Sequence, residues 1–319
     1  MSAGRRETPQ NRTCQDAVLF SNSLMSGEWL LAVPLQLEPI HPFTGWDVES
    51  DWSPLHDAAF NGRVLALQGL IGQGTCVNLS TLDRVSPLHG ACARGHLACA
   101  DLLIQNGANV NGSTVDGVTP LSEACARGHV TMASLLLQRG ANPSGSDHTN
   151  SPIHRAAAKG HPECMEPLVR HGADVDQVIE QQGSPLHVAC SNQHLSTVKK
   201  LLELGACVNS SVRGESPLHI AARLSSPELA SVLLDHGAAP SPRNWEGKRP
   251  LDLAPPDSPV ERLLRQGEVS PLMQLCRLHI RRTLGKWRLR SIDELHLPAD
   301  IKRYLLYQSN TGGEPTHRY

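Results

Sequence analysis

Sixteen histidines and nine cysteines are the residues of this chain with the most chemistry to offer. His89, Cys92, His96 and Cys99 together have the composition of a zinc site, and the histidines as a group invite a metal or a catalytic reading. Their positions argue for a different job. His89 holds the same place in a recurring Ser-Pro-Leu-His tetrapeptide as His56, His154, His187 and His219, where an imidazole can hydrogen-bond between adjoining units. Cys92 and Cys99 fall where a helical unit would carry Ala or Val, so packing accounts for them. Neither a Gly-x-Ser-x-Gly elbow nor a His-Glu-x-x-His helix occurs, and Gly247-Lys248 and Gly285-Lys286 lack the rest of a phosphate loop. The expectation is a protein with no catalytic residues, no metal and no cofactor.

The tetrapeptide also sets the architecture. It or a close variant opens at Ser53, Ser86, Thr119, Ser151, Ser184 and Ser216, at spacings of 33, 33, 32, 33 and 32 residues. A period near 33 predicts a stacked solenoid, in which each unit buries its apolar face against the next. Three Phe and three Tyr in 319 residues suit small helical repeats better than a sandwich or barrel.

Within each unit the Ser or Thr supplies an N-cap acceptor and the following Pro a helical φ, so a short helix starts there. Ten positions into the unit, Gly62, Gly95, Gly128 and Gly160 can turn left-handed and reverse the chain. The second helix keeps Leu70, Leu103, Leu136, Leu168, Leu201 and Leu233 at one register, and a glycine ends each copy. A polar loop such as 108–117 then projects from the stack. Gln193 and Ser225 replace the turn glycine in units five and six, and Pro167 interrupts the second helix of unit four, which is expected to be the soft point.

Net charge is −2, yet its distribution is uneven: residues 261–308 hold 10 Lys+Arg against 5 Asp+Glu, and residues 1–260 hold 18 against 25. Because those basic residues alternate with Leu and Ile at helical spacing, a protein partner is expected and nucleic acid is not. The apolar run at 29–33 is broken by Pro34 and Pro39 and is too short to span a bilayer. Residues 1–16 are polar and charged, unlike a secretory signal, so a reducing, cytoplasmic setting is expected.

The six units resemble the ankyrin repeat, in which two helices and a protruding hairpin stack into a curved array; Arg249 to Leu264 looks like its C-terminal cap. After it, Pro271-Leu272-x-x-x-Cys276-x-x-x-Ile280 puts Leu272, Cys276 and Ile280 on one stripe of a helix, widened by Leu275. The plain reading is a helix packed against the last repeat. The stripe is also similar to the elongin C-binding helix of the SOCS box, and 292–307, with Leu297-Pro298 and a terminal helix, is similar to that module's cullin-contacting half. The ankyrin-repeat and SOCS-box family is therefore the one this chain resembles. The implied fold is an α-rich solenoid with helix-turn-helix-hairpin units followed by a three-helix SOCS box. Its divisions are a flexible leader at 1–52, repeats at 53–267, the box at 268–308 and a disordered tail at 309–319.

The resemblance implies a non-catalytic substrate receptor of a cullin-RING ubiquitin ligase. Elongin C, paired with elongin B, would be bound by Pro271, Leu272, Leu275, Cys276 and Ile280. A cullin, with cullin 5 the family's usual one, would meet Leu297, Pro298 and Ile301. Asp300 stands where the family motif has a second proline, which puts that cullin in doubt, and is expected to N-cap the last helix. The rival reading is an ankyrin scaffold with no ligase link. For an unidentified target protein, the fifth and eighth slots of each unit, expected to be exposed, give Asp57, Phe60, Glu123, Arg155, Val188, Ile220 and Arg223; Trp52 adjoins them. Trp46, Trp52 and Phe60 are alternatively covered by the entering chain, and Trp245 is expected to pack on the C-terminal module.

Overall fold

The computed structural model describes residues 51–146 and 150–266 and, beyond them, 276, 277, 279–281, 283, 284, 292 and 295–306. The leader to residue 50, the tail from 307, and Trp46, Pro271, Leu272 and Leu275 lie outside the described residues.

Six helical pairs follow one another: α1 (Pro54–Phe60) and α2 (Val64–Gly72), α3 (Pro87–Arg94) and α4 (Leu97–Gln105), α5 (Pro120–Ala126) and α6 (Val130–Gln138). The series continues with α7 (Pro152–Lys159) and α8 (Met165–Arg170), α9 (Pro185–Ser191) and α10 (Leu195–Glu203), α11 (Pro217–Arg223) and α12 (Pro227–Asp235). The shorter pair α13 (Pro250–Leu253) and α14 (Pro259–Gln266) closes the array. First helices pack on first helices and second on second, so the core runs continuously from Leu55 to Leu264. The register leucines are fully buried from Leu103 onward, but Leu70 is only half-buried because among the described residues no unit precedes its own.

Every first helix begins at the proline after its Ser or Thr, and in α13 after Arg249. The turn glycines Gly62, Gly95, Gly128 and Gly160 have φ between +70° and +77°. Gln193 and Ser225, which replace that glycine, hold the same left-handed conformation at +57° and +53°, so the turn is imposed by the stack rather than by the residue. In unit four Pro167 is accommodated by breaking the second helix into a 3₁₀ turn at Pro162–Cys164 and the six-residue α8, whose first turn needs no donor from Pro167. The projecting loops carry only isolated bridges, Ile179 with Gly183 and Val212 with Glu215, and no strand among the described residues. The protruding hairpins are turns rather than ladders here.

Candidate protein-interaction surfaces

The histidines of the tetrapeptide form a ladder. His89 Nδ1 accepts the backbone N–H of Ser86 at 3.2 Å and lies 2.8 Å from the Ser86 hydroxyl. Its Nε2 is 3.0 Å from the carbonyl of Val118, the residue just before the next unit's cap. An acceptor at Nδ1 and a carbonyl at Nε2 together require the neutral Nε2–H tautomer. His56, His187 and His219 reach Val85, Glu215 and Lys248 in the same way, at 3.0 to 3.2 Å. Burial drives the His89 and His154 pKa values down to about 4 and lowers those of His56, His187 and His219, with the carbonyl bonds opposing only in part. These imidazoles are interlocking parts.

Unit four departs again: the Ser151 hydroxyl donates to Gln177 Oε1, and His154 Nδ1 has no partner among the described residues. A second histidine row was missed by the sequence reading. The His129 and His194 rings lie over Gly95 and Gly160 of the preceding units and reach the carbonyls of Ala93 and Ala158, while His96 and His161 cover Gly62 and Gly128. A Cβ at Gly95 would come within 2.8 Å of His129, so the Gly-His dipeptide was the available signal. Cys92 and Cys190 are buried with their thiols held protonated, the Cys190 pKa raised to about 12 by burial. Among the described residues no group of three or more His, Cys, Asp or Glu is gathered for a metal.

The first-helix slots are less open than expected. Phe60 is buried edge-on beneath Trp52, with ring centroids 5.9 Å apart, and the Arg94 guanidinium sits 5.1 Å from its ring. Glu123 is 4% exposed, held by Arg155 at 2.9 Å and Arg127 at 3.2 Å, so it ties units three and four together. Val188 is buried too. Trp52 and Arg94 close over Phe60, Arg155 of the next unit closes over Glu123, and Val188 joins the core, which corrects the expectation of exposure. Trp52, Arg155 and Ile220 are half-buried, Asp57 pairs with Arg63 at 2.9 Å, and Arg223, the most open, pairs with Glu215. Trp245 is 71% exposed and, among the described residues, is not covered by the C-terminal module as expected; the backbone of its turn abuts Gly214, 3.0 Å from where a Cβ would stand.

The C-terminal segment reverses the usual amphipathic order. Residues 276, 277, 279–281, 283 and 284 are helical; Cys276 and Ile280 are exposed, Ile280 to 41%, while Arg281 is 9% exposed. Its Nη1 donates to the Leu305 carbonyl at 2.6 Å and its Nη2 to that of Leu202 in α10 at 2.9 Å. The face turned inward is therefore the arginine face, and the plain reading of an apolar stripe packed on the last repeat fails at Cys276 and Ile280. Ile292 and Leu305 form a small core with Leu284, Leu297 and Leu306. The last helix, α15 (Ala299–Leu305), is N-capped by Pro298, so Asp300 lies inside the helix and is not its cap. Pro298 is exposed, Leu297 half-buried and Ile301 45% exposed. Among the described residues no helix is long and apolar enough to cross a membrane.

Comparison with known proteins agrees with both halves of this geometry. Models of ankyrin repeats match residues 55–147, 143–212 and 213–245, and a SOCS box model matches 268–306. Ankyrin repeat and SOCS box protein 11 of Homo sapiens is 59% identical over 264 residues, 82% of this chain and 81% of that protein. Ankyrin repeat and SOCS box protein 9 of Mus musculus is 58% identical over 268 residues, 84% of this chain and 92% of its own. The crystal structure of the human ASB11 ankyrin repeat domain superposes with a TM-score of 0.65 at 50% identity, covering 69% of this chain and 99% of that one. The ankyrin repeat domain of Bcl-3 gives 0.59 at 29% identity, over 67% and 98% of the two chains. With a ladder of capped helical pairs followed by a box that leaves Cys276 and Ile280 exposed, this chain belongs to the ankyrin repeat and SOCS box protein family.

Proposed function

We propose that the chain is a non-catalytic substrate receptor of an elongin BC–cullin–RING ubiquitin ligase. The observation that carries this reading is the outward exposure of Cys276 and Ile280 beside a buried Arg281. Apolar side chains on a helix whose polar face is already engaged are available to enter a partner's groove. In this reading Pro271, Leu272, Leu275, Cys276 and Ile280 meet elongin C. Exposed Pro298 and Ile301, with Leu297 behind them, meet the cullin. Cullin 5 is the family's expected partner, and Asp300 in place of its motif's second proline makes that contact the one to test separately. The stack holds a target through exposed Arg223 and half-buried Asp57, Arg155, Ile220 and Trp52, with Phe60, Glu123 and Val188 shaping the surface from beneath. Ubiquitin transfer is promoted by raised local concentration of the target's lysines, and no side chain of this chain breaks a bond. Target degradation then takes place where such ligases work, in the reducing cytoplasm.

Co-expression with elongins B and C followed by size-exclusion chromatography tests the reading. A stoichiometric complex is expected for the wild type and its loss for Ile280→Asp/Cys276→Asp and for Leu272→Asp, with the thermal melt of the repeats unchanged. A folded wild type that elutes alone refutes the receptor and leaves an ankyrin scaffold.

A further inference from the structure

The apolar cores of the stack and of the box are separate clusters: one runs from Leu55 to Leu264, the other is Ile292 and Leu305 with three flanking leucines. What joins them among the described residues is polar. Arg281 is the buried side chain that bonds both sides at once, to Leu202 at the end of α10 and to Leu305 at the end of α15. Both carbonyls lie in the last turn of a helix, at the negative end of its dipole, where a cation is favoured. One turn earlier the Arg277 guanidinium lies 3.6 Å over the Tyr304 ring of α15. The charge of Arg277 acts on Asp235 at the end of α12, and both arginines act on the adjoining His236. Two helix ends of the stack and the last helix of the box thus converge on one arginine face.

We propose that Arg281 is a positioning residue, the joint that fixes the orientation of the SOCS box relative to the ankyrin stack. Its planar fork sends two donors in different directions, which a lysine ammonium on a flexible stem does not reproduce. The joint matters to ubiquitin transfer only if the receptor reading above holds, because a fixed angle decides which lysines of a bound target are in reach. The joint itself does not depend on that reading.

The test is electron–electron resonance distance measurement on the full chain, with genetically encoded spin labels at Lys199 in α10 and Ile301 in α15, which spares the native thiols. The wild type is expected to give one narrow distance population. Arg281→Met is expected to lose it and give a broad distribution, with the melt of the repeats and co-elution with elongins B and C retained. Arg281→Lys is expected to be broad as well, since the charge remains and the fork is gone. A narrow wild-type-like population in Arg281→Met overturns the proposal. Where Arg281→Met unfolds the box, Arg281→Lys decides: narrow overturns, broad supports. Absence of elongin binding by the wild type removes the receptor reading and leaves the distance result standing.

Discussion

In the ankyrin stack buried imidazoles such as that of His89 are met by a carbonyl of the neighbouring unit; in the C-terminal box the apolar groups Cys276 and Ile280 are left facing outward and a charge is taken inside. The contrast separates a region whose histidines are met from within the array from one that leaves apolar side chains on its surface. Repetition makes the first possible, because a side chain that suits one unit has its acceptor supplied by the next. The box has no copy of itself to lean on and, among the described residues, uses the stack's helix ends and a core of Ile292 and Leu305.

The contrast predicts where damage goes. Ile280→Asp/Cys276→Asp is expected to abolish the elongin complex while shifting repeat stability by less than about 0.5 kcal/mol, since both sites are solvent-exposed. A size-exclusion run beside a urea titration reads both quantities. Leu136→Ala, at a fully buried register leucine, is expected to do the reverse: a loss of about 2–5 kcal/mol in the titration, with elongin binding intact below the transition. Should both variants weaken both properties equally, the two regions are one cooperative body and the distinction collapses.

Acid sharpens it further. The ladder histidines and His236 have pKa values in the folded chain below the unfolded 6.5, to about 4 for His89, His154 and His236. The unfolded state therefore binds more protons between about pH 6.5 and 4, so stability is complete above the unfolded value and falls as pH drops through that window. Thermal melts taken stepwise from pH 7 to 4 are expected to show a progressive fall, steeper than in a variant with His89→Gln. His89→Ala at neutral pH leaves the Val118 carbonyl and Ser86 N–H without it, and a loss of about 1–3 kcal/mol is expected in the same titration. The smallest effect expected is a gain: Gln193→Gly, at φ +57°, is expected to raise stability by up to about 1 kcal/mol by relieving a left-handed non-glycine residue.

Much of this was legible in the residues. The 33-residue spacing, the Ser-Pro starts and the turn glycines located the helices, because each depends on local geometry that a single residue type dictates. What failed was depth. A slot number says which side of a helix Phe60, Glu123 or Val188 occupies, but not how deeply it is covered, since that depends on how closely the surrounding segments approach. Helical spacing likewise showed that Cys276 and Ile280 share a stripe without showing which way it points. That was decided by Arg281 and two carbonyls, one of them 79 residues away in sequence. The Gly-His dipeptides are in plain view, but nothing in the sequence says that the imidazole of one unit covers the glycine of the unit before it.

The ladder also gives the stack a direction in time. His56, His89, His154 and His219 each find their acceptor carbonyl 29 residues downstream, never upstream. On a ribosome adding about 5–20 residues per second, each imidazole is made roughly 1.5–6 s before its carbonyl exists. A unit emerging first is thus sealed only by its successor, and the last, at His219, is closed by Lys248 at the edge of the truncated pair, which serves nascent chains as the final latch.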